Sequence, residues 1–326
     1  MQRFLIIQTA FIGDVILCTP VISELKRLYP NAKIDVVVRK GNEALLSNHP
    51  GINSILVWNK KSEKYRSLRQ VISTVRSYRY DEVINLQRFH SAGVICMFSK
   101  SKAKIGFTKN KFPFIYSKRV KHIIGDGTHE VERNLLTIAH HKGAKSKVRP
   151  SLYPSQSDIE KVNLMRSGND VYMCMAPASV WETKKLPTEH WITLAKKKAI
   201  EGPVYLLGGP LDRELCEEIR LESKHKNIMN TCGELTLLQS AALMKDAKMN
   251  YVNDSGPLHL ASAVNAPTTS FFCSTVPRFG FGPLAENSSI IQVETELSCR
   301  PCGLHGYKKC PEGHFKCGKN IEIEKL

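Results

Sequence analysis

The stretch Asn253-Asp254-Ser255-Gly256-Pro257-Leu258-His259-Leu260-Ala261 decides how the rest of the chain is best understood. It follows the apolar run 248–252, which is typical of a buried strand, and leads into a small-residue helical pattern over 258–264. Such a strand–turn–helix unit presents backbone N–H groups and the positive end of a helix dipole, which together favour a phosphate. An ordinary turn capped by Asp254 or Ser255 is the alternative interpretation.

Two further residues of this stretch support a ligand-binding turn. Pro257 suits the first position of a helix, and Gly256 allows a ligand to approach the backbone closely because it has no Cβ. His259 lies one helical turn further on, where it would face a bound phosphate, although a lone histidine more often packs or caps. The sequence therefore predicts a phosphate site here if other parts of the chain supply matching groups.

The chain repeats the strand–turn–helix order from end to end. Strands are predicted at 4–8, 32–39, 54–58, 83–86, 105–107, 171–175, 204–207, 228–229, 249–252 and 269–272, with helical patterns at 14–28, 43–47, 62–79, 90–99, 128–141, 188–199, 211–224, 235–245 and 258–264. Repeated βα units imply an α/β fold with parallel sheets covered by helices on both faces. The basic and aromatic segment Lys109–Lys121 interrupts the pattern without a clear period.

A Gly-, Ser-, Pro- and Lys-rich segment over 143–157 is typical of a linker. It separates two halves of similar size, which predicts domains at 1–155 and 156–326, each a doubly wound sheet facing a central cleft. Ligands of such sheets bind beyond the carboxyl ends of the strands. Asp14 and the turn at Asp254 would both lie at such ends.

The net charge of +17 is confined to one half of the chain. Residues 1–155 contain 27 Lys and Arg against 10 Asp and Glu, whereas residues 156–326 contain 20 of each. A basic half should attract a polyanion, such as nucleic acid, an acidic lipid surface or an anionic substrate, although a merely soluble basic surface is the alternative. The first residues imitate a signal peptide, but Gly13-Asp14 interrupts the apolar run and no cleavage site follows. We therefore expect a cytoplasmic protein that begins with a buried strand.

The first turn, Thr9-Ala10-Phe11-Ile12-Gly13-Asp14, is not a G-x-G-x-x-G fingerprint, which disfavours a nicotinamide enzyme. Gly13 permits close approach, and the carboxylate of Asp14 can accept a proton from an attacking hydroxyl. Capping of the following helix is an equal alternative for Asp14. Pro20 complicates a helix that begins at Asp14, because proline is poorly tolerated in a helix interior.

Three groups in the second half could serve a phosphorylated ligand. Ser179, Lys184 and Lys185 follow a predicted strand and can hold a diphosphate and offset the charge of a leaving group. Asp212 or Glu214 follows another strand and can bind ribose hydroxyls. Solvated surface side chains are the alternative for all of them.

Four of the ten cysteines cluster as Cys299-x2-Cys302-x7-Cys310-x6-Cys317. Their thiols, with His305 or His314 as substitutes, can form a tetrahedral metal site, but the second spacing departs from a zinc ribbon. Reduced, packed or redox-labile thiols are the alternative. The other cysteines are scattered, so a secreted disulfide scaffold is not expected.

The motifs together resemble glycosyltransferase family 9, the ADP-heptose:lipopolysaccharide heptosyltransferases, over essentially the whole chain. The matching motifs are Phe11-Ile12-Gly13-Asp14-Val15-x3-Thr19-Pro20, His129-x-Val131-x-Arg133-Asn134-Leu135, Ser179…Lys184-Lys185-x-Pro187 and the opening stretch. The cysteine-rich tail looks most like the heptosyltransferase II branch of the family.

The resemblance implies a GT-B fold of two Rossmann-like domains and an inverting sugar transfer that needs neither a metal nor another cofactor. The family's general base falls on Asp14, and its donor contacts fall on Ser179, Lys184, Lys185, Asp212, Glu214, Asp254, Ser255, Gly256 and His259. The donor would be ADP-heptose, and the acceptor would be the anionic Kdo-containing inner core of lipopolysaccharide. Gly13, Lys60, Lys61, Lys64 and Arg66 are the expected acceptor-side residues.

The charge asymmetry fits this resemblance, because an anionic acceptor and an acidic inner-membrane surface would both favour a basic acceptor domain. A peripheral location on the inner face of the inner membrane is therefore an option beside a purely cytoplasmic one. Two other functions are alternatives: a GT-B nucleotide-sugar epimerase, and a basic nucleic-acid-binding protein. The second lacks any recognisable nucleic-acid motif, so no nucleic-acid partner is expected.

Overall fold

A computed structural model describes residues 1–166, 168 and 170–326. The chain divides into two compact units, Met1–Tyr153 and Pro154–Leu326. The break lies within the predicted linker, two residues before the expected boundary at 155.

The N-terminal unit is built on one six-stranded parallel sheet. Its strands are β1 (Arg3–Ile7), β2 (Lys33–Arg39), β3 (Ser54–Trp58), β4 (Tyr80–Asn85), β5 (Ser101–Phe107) and β6 (Lys118–Val120), and its helices are α1 (Ile12–Leu28), α2 (Lys64–Ser77), α3 (His90–Phe98) and α4 (Glu130–Leu135). The strand order is β3-β2-β1-β4-β5-β6. The chain adds strands on one side of β1 as far as β3 and then, from β4 onward, on the other side, so the switch point lies between β1 and β4. Ligands of doubly wound sheets bind at such a switch point, and the turn that carries Asp14 begins there.

The C-terminal unit repeats the same architecture. Its strands are β7 (Met173–Ala176), β8 (Val204–Leu206), β9 (Ile228–Asn230), β10 (Met249–Asn253), β11 (Thr268–Phe272) and β12 (Ser288–Gln292), and its helices are α5 (Gln156–Arg166), α6 (Thr188–Ala199), α7 (Arg213–Ser223), α8 (Leu237–Lys245), α9 (Gly256–Ala263) and α10 (Lys316–Lys319). The order β12-β11-β10-β7-β8-β9 places the switch point between β7 and β10. The Ser179 loop and the Asp254 turn follow these two strands, so the topology brings them to the same edge.

Buried apolar strands form the core of each unit, as the run pattern predicted. Every residue of β1 from Phe4 to Ile7 is at most 1% exposed, and every residue of β11 is buried as well. In the C-terminal unit, Trp191 of α6 packs edge-on against Phe271 of β11 with ring centroids 5.3 Å apart. Burial on both faces explains why β1 is a continuous apolar run rather than an alternating one, whereas the buried residues of β11 include Thr268, Thr269 and Ser270.

Helix α1 passes through Pro20 without a break. Proline has no N–H for the carbonyl of Ile16, and the hydroxyl of Thr19 donates to that oxygen instead, at 2.8 Å. The helix begins at Ile12, so Asp14 lies in its first turn. The expected conflict between Asp14 and Pro20 is therefore absent, because Thr19 replaces the missing donor.

Four elements were not predicted from the sequence, one of them the four-residue helix α10 near the C-terminus. Strands β6 and β12 are sheet edges with mostly exposed residues, and α5 buries only Val162, so none of them shows a clear apolar pattern. The basic segment Lys109–Lys121, interpreted as patternless, contains β6 and a short 3-10 turn at Pro113–Ile115. Within the described ranges, none of the helices has the length and apolar character needed to cross a bilayer.

Candidate functional site

Asp14 is half-buried in the first turn of α1, directly beyond the carboxyl end of β1. Its Oδ2 accepts a hydrogen bond from the backbone N–H of Phe11 at 3.2 Å, so the side chain also caps the helix, as the alternative interpretation proposed. Burial, and then the negative charge of Glu130, raise the pKa of Asp14 to about 6, against the opposing effects of backbone N–H groups and of Arg88. A carboxylate with such a pKa is ionised at pH 7 and is a better base than an ordinary aspartate.

Glu130, which the sequence did not single out, is the buried charge behind Asp14. It accepts hydrogen bonds from the Nε of Arg133 at 2.8 Å and contacts the Nε2 of His122 at 3.1 Å. These contacts outweigh its burial and lower the pKa of Glu130, so it stays anionic. The motif at 129–135 therefore has two structural effects. It contains the negative charge that helps to raise the pKa of Asp14. Its Asn134 also connects α4 to α1 by donating to the Leu17 carbonyl at 3.1 Å.

Lys60, one of the predicted acceptor-side lysines, hydrogen-bonds to the β1–α1 turn. Its Nζ donates to the carbonyl of Thr9 at 2.7 Å and lies 4.6 Å from the ring centre of Trp58. Burial, followed by the charges of Arg39 and Lys64, lowers the pKa of Lys60 to about 8. Lys60 thus braces the turn that leads to Asp14, in addition to carrying positive charge.

The other predicted acceptor-side groups are more exposed. Lys61, Lys64 and Arg66 lie at the surface around the start of α2, and Arg66 pairs with Glu63 at 3.5 Å. Gly13 is half-buried in the first turn of α1, next to Asp14. Lys64 lines a depression with Trp58, Lys60, Phe89, His90 and Ser91. Acceptor binding by these residues stays a prediction.

In the C-terminal unit, the carboxylate of Asp254 is buried and does not cap α9. Its Oδ2 lies 2.7 Å from the Nζ of Lys184 and accepts a hydrogen bond from the hydroxyl of Thr275 at 2.6 Å. The alternative in which Asp254 caps α9 is therefore not observed, because its Oδ2 is bound by side chains from two other loops. Lys184 is held at the turn by this ion pair.

The start of α9 keeps backbone donors available for a ligand. Ser255 occupies the N-cap position, but its side chain makes no capping hydrogen bond, so the alternative in which Ser255 caps α9 is not observed either. Gly256 is the first helical residue and Pro257 the second, one position later than expected. Because no side chain caps the end, the N-terminus of α9 can receive an anion beside Lys184.

Asn253 connects this turn to the loop that carries the lysines. Its Nδ2 donates to the Pro177 carbonyl at 2.7 Å, and its Oδ1 accepts from the backbone N–H of Leu186 at 2.9 Å. Ser179 lies half-buried between these two anchor points in the chain. The sequence motif contained Asn253, but a side chain that bridges two strand ends could not be inferred from it.

The remaining donor-side candidates differ in their surroundings. Lys185 pairs with Glu182 at 2.7 Å, and Asp212 accepts from the backbone N–H of Gly209 at 2.8 Å. Glu214 is exposed at the start of α7. His259 is only 5% exposed and packs near Phe281, with ring centroids 6.4 Å apart. Their contacts with a donor stay predictions.

The cysteine-rich tail supports the same turn, which the sequence did not reveal. The backbone of Tyr307 pairs with Thr183: its N–H donates to Thr183 Oγ1 at 2.8 Å, and its carbonyl accepts from the Thr183 N–H at 3.1 Å. Arg300 donates to the carbonyls of Cys273 and Thr275 at 2.7 and 2.8 Å. The tail therefore holds both neighbours of the Asp254 carboxylate, the Lys184 loop and Thr275.

All ten cysteines have free thiols. Burial, then the neighbouring Cys302, raises the pKa of the Cys317 thiol to about 11, so this thiol is protonated at neutral pH. Metal binding by the cluster of four stays untested; Cys302 and Cys317 are buried, whereas Cys299 and Cys310 are half-buried.

Comparison with known proteins now identifies the family. The model for glycosyltransferase family 9 (heptosyltransferase) matches residues 68–310. The chain belongs to glycosyltransferase family 9. It is accordingly a glycosyltransferase, which favours that prediction over the epimerase and nucleic-acid alternatives.

Individual relatives and solved structures agree with this assignment. A lipooligosaccharide heptosyltransferase 2 of Campylobacter jejuni is 24% identical over 332 residues, covering 100% of this chain and 96% of the relative. A family 9 glycosyltransferase structure from Veillonella parvula has a TM-score of 0.80 at 20% identity, covering 89% of this chain and 85% of the other. The Escherichia coli ADP-heptose lipopolysaccharide heptosyltransferase II structure has a TM-score of 0.75 at 21% identity and covers 97% of both chains. The two six-stranded sheets thus match the GT-B fold of family 9 structures.

The role of Arg300 is testable by a conservative substitution. Arg300→Lys should lower the free energy of unfolding by about 2 kcal/mol, because a lysine cannot reach all the carbonyls that the planar guanidinium serves. Urea unfolding monitored by circular dichroism measures the change. Arg278→Lys, at an exposed position, is the matched control and should change stability by less than about 0.5 kcal/mol. Equal stability of Arg300→Lys and the control would contradict the proposed bracing.

Proposed function

We propose that this enzyme transfers L-glycero-D-manno-heptose from ADP-heptose to the anionic inner core of lipopolysaccharide. The observation that carries the proposal is the uncapped N-terminus of α9 beside the Lys184–Asp254 ion pair. An ammonium group has three N–H donors, so Lys184 can keep Asp254 and still donate to a phosphate oxygen. The helix end and Lys184 together suit a diphosphate, the leaving group of a nucleotide-sugar donor.

The names of the relatives support heptose as the transferred sugar. The Campylobacter relative is named a lipooligosaccharide heptosyltransferase, and the Escherichia coli structure is titled with ADP-heptose. Within the donor site, Ser179, Ser255 and Gly256 would contact the diphosphate, with His259 behind them. Asp212 or Glu214 would meet the ribose, and Lys185 would add positive charge near the site.

The chemical step that we propose is a single displacement with inversion. Asp14 takes the proton of the acceptor hydroxyl, and the acceptor oxygen forms a bond to the anomeric carbon of the heptose. The bond from that carbon to the β-phosphate oxygen breaks, and ADP leaves with the electron pair, stabilised by Lys184 and the end of α9. The step needs no oxidant, reductant or metal ion to balance.

The basic N-terminal unit suits the acceptor. Gly13 would allow close approach, and Lys60, Lys61, Lys64 and Arg66 would attract the carboxylates and phosphates of the inner core. The same charges favour an acidic membrane surface, so we place the enzyme in the cytoplasm, with peripheral contact to the inner face of the inner membrane. No nucleic-acid partner is proposed.

Donor specificity tests the proposal most directly. ADP-heptose should raise the melting temperature more than UDP- or GDP-sugars do, because only a bound ligand stabilises the folded state. Lys184→Met should weaken ADP-heptose binding by about tenfold or more, whereas Lys185→Met should weaken it less, since Lys185 pairs with Glu182 instead of Asp254. Thermal shift and isothermal titration calorimetry provide the measurements. Selective stabilisation by another nucleotide sugar would refute heptose as the donor sugar.

The general-base role of Asp14 predicts a loss confined to chemistry. Asp14→Asn should reduce transfer by about 100- to 10,000-fold, because the amide cannot accept the proton. ADP affinity and the melting temperature should stay near the wild-type values. Mass spectrometry of the glycosylated acceptor measures transfer, and full activity in Asp14→Asn would remove the assignment.

The raised pKa of Asp14 predicts a specific pH profile. Because the pKa is raised to about 6, kcat/KM should fall tenfold per pH unit below about pH 6, where the carboxyl is protonated and cannot act as a base. Arg88→Gln should move this acid limb to higher pH, because the Arg88 charge holds the pKa down. An acid limb that stays in place in Arg88→Gln, or that lies near pH 4 in the wild type, would contradict this tuning.

A further inference from the structure

A second cluster of ionisable side chains lies in the N-terminal unit, outside the proposed active site. Glu82 of β4 contacts two consecutive histidines that follow α4: its Oε1 lies 2.8 Å from the Nε2 of His140, and its Oε2 lies 3.1 Å from the Nε2 of His141. The three potential ligand atoms all lie within 4.8 Å of one another. No other group of three His, Cys, Asp or Glu side chains meets that limit in residues 1–166, 168 and 170–326.

The position of this cluster separates it from the sugar-transfer chemistry. Glu82 pairs in register with Phe4, near the start of β1, whereas Asp14 follows the carboxyl end of the same strand. The Phe4 ring lies edge-on to His141, with centroids 6.0 Å apart. The cluster therefore lies toward the amino ends of the strands, and any ligand that it binds would not contact the proposed acceptor site.

Tyr29 orients one of the two imidazoles. Its hydroxyl lies 2.9 Å from the Nδ1 of His141, and the two rings meet edge-on with centroids 5.3 Å apart. When Nδ1 carries the proton and donates it to Tyr29, the Nε2 lone pair of His141 points at the Glu82 carboxylate and is free to bind a cation. A hydrogen bond from the second ring nitrogen to a neighbouring oxygen is the arrangement that metal-bound histidines usually have.

We propose that Glu82, His140 and His141 bind one divalent transition-metal ion of the zinc type. Two imidazole nitrogens and one carboxylate are a common ligand set for zinc, and also suit cobalt and nickel. The side chain of His140 is 23% exposed, so water can reach the site and complete the coordination. The two histidines contact the Glu82 carboxylate directly. A bound ion would lie between the three side chains and link them instead.

The expected consequence is structural. The ion would join β4 to the segment after α4, at the end of the N-terminal unit opposite Asp14. It would stabilise the folded unit by binding it in preference to the unfolded chain. It would take no part in the transfer step, so removal of the ion should leave kcat at the assay temperature unchanged.

Cobalt titration of the full-length protein tests the proposal. Cobalt bound to any of the protein's thiols would be recognisable, because thiolate ligands add strong near-ultraviolet charge-transfer bands that nitrogen and oxygen ligands do not. We expect the double variant His140→Ala/His141→Ala to bind one equivalent fewer than wild type, with the thiolate bands unchanged. His90→Ala, an exposed histidine of the same unit, is the control and should keep the wild-type stoichiometry.

Two milder variants keep the test decisive if the double variant does not fold. Glu82→Gln should lose the same equivalent while it retains a side chain of the same size. Tyr29→Phe preserves the ring packing and removes only the orienting hydroxyl, so it should keep the stoichiometry and weaken that equivalent by about 10- to 100-fold. Wild-type stoichiometry and affinity in Glu82→Gln, or no thiolate-independent cobalt binding in the wild type, would overturn the proposal.

Discussion

The buried carboxylate of Asp254 is the constraint on which the proposed donor site depends. A charge that is 4% exposed is strongly destabilising unless other groups compensate it, and here Lys184 and Thr275 do so. These partners come from the loops after β7 and β11, so three adjacent strand ends are fixed by one side chain. The ion pair with Asp254 also holds the positive charge of Lys184 near the N-terminus of α9 before any ligand binds. An ammonium that is already positioned loses less entropy when a phosphate binds.

The cysteine-rich tail extends this constraint through the backbone. Arg300 donates hydrogen bonds to main-chain carbonyls at the end of β11, and the backbone of Tyr307 hydrogen-bonds to Thr183, next to Lys184. A close fit accompanies these bonds, because a Cβ on Gly306 would lie 2.8 Å from the Thr183 hydroxyl oxygen. The tail therefore contributes to the geometry of the proposed donor site without supplying a predicted ligand-contacting residue. Its cysteines attracted attention in the sequence, yet the contacts that matter here are made by an arginine and by backbone atoms.

How much of the structure could be predicted from the sequence depends on how far apart the interacting residues lie along the chain. Buried strands such as β1 and β2 were predictable because burial on both faces requires an apolar run, whereas β6 and β12 are exposed edges and carry no such run. The sequence correctly predicted that Asp14 lies beyond the end of β1, because this position depends only on the local order of strand, turn and helix. For Asp254 the sequence left capping and ligand contact open, because a capping pattern is local whereas its partner Lys184 is distant in sequence. The raised pKa of Asp14 depends first on burial and then on Glu130, which is distant in sequence, so no local pattern contains either cause.

The charges of the N-terminal unit act over two different ranges. The basic surface acts at long range on an anionic acceptor, whereas burial and Glu130 act locally on Asp14. The N-terminal half carries the whole net charge of +17, and a nearby positive field alone would lower the pKa of an aspartate. The pKa of Asp14 is raised instead, because burial and then the charge of Glu130 outweigh the backbone hydrogen bonds and the charge of Arg88. Exposed charges are screened over about 8 Å in physiological salt, whereas desolvation acts on the carboxylate itself. The basic surface can therefore attract an anionic acceptor from a distance without weakening the base that would activate it.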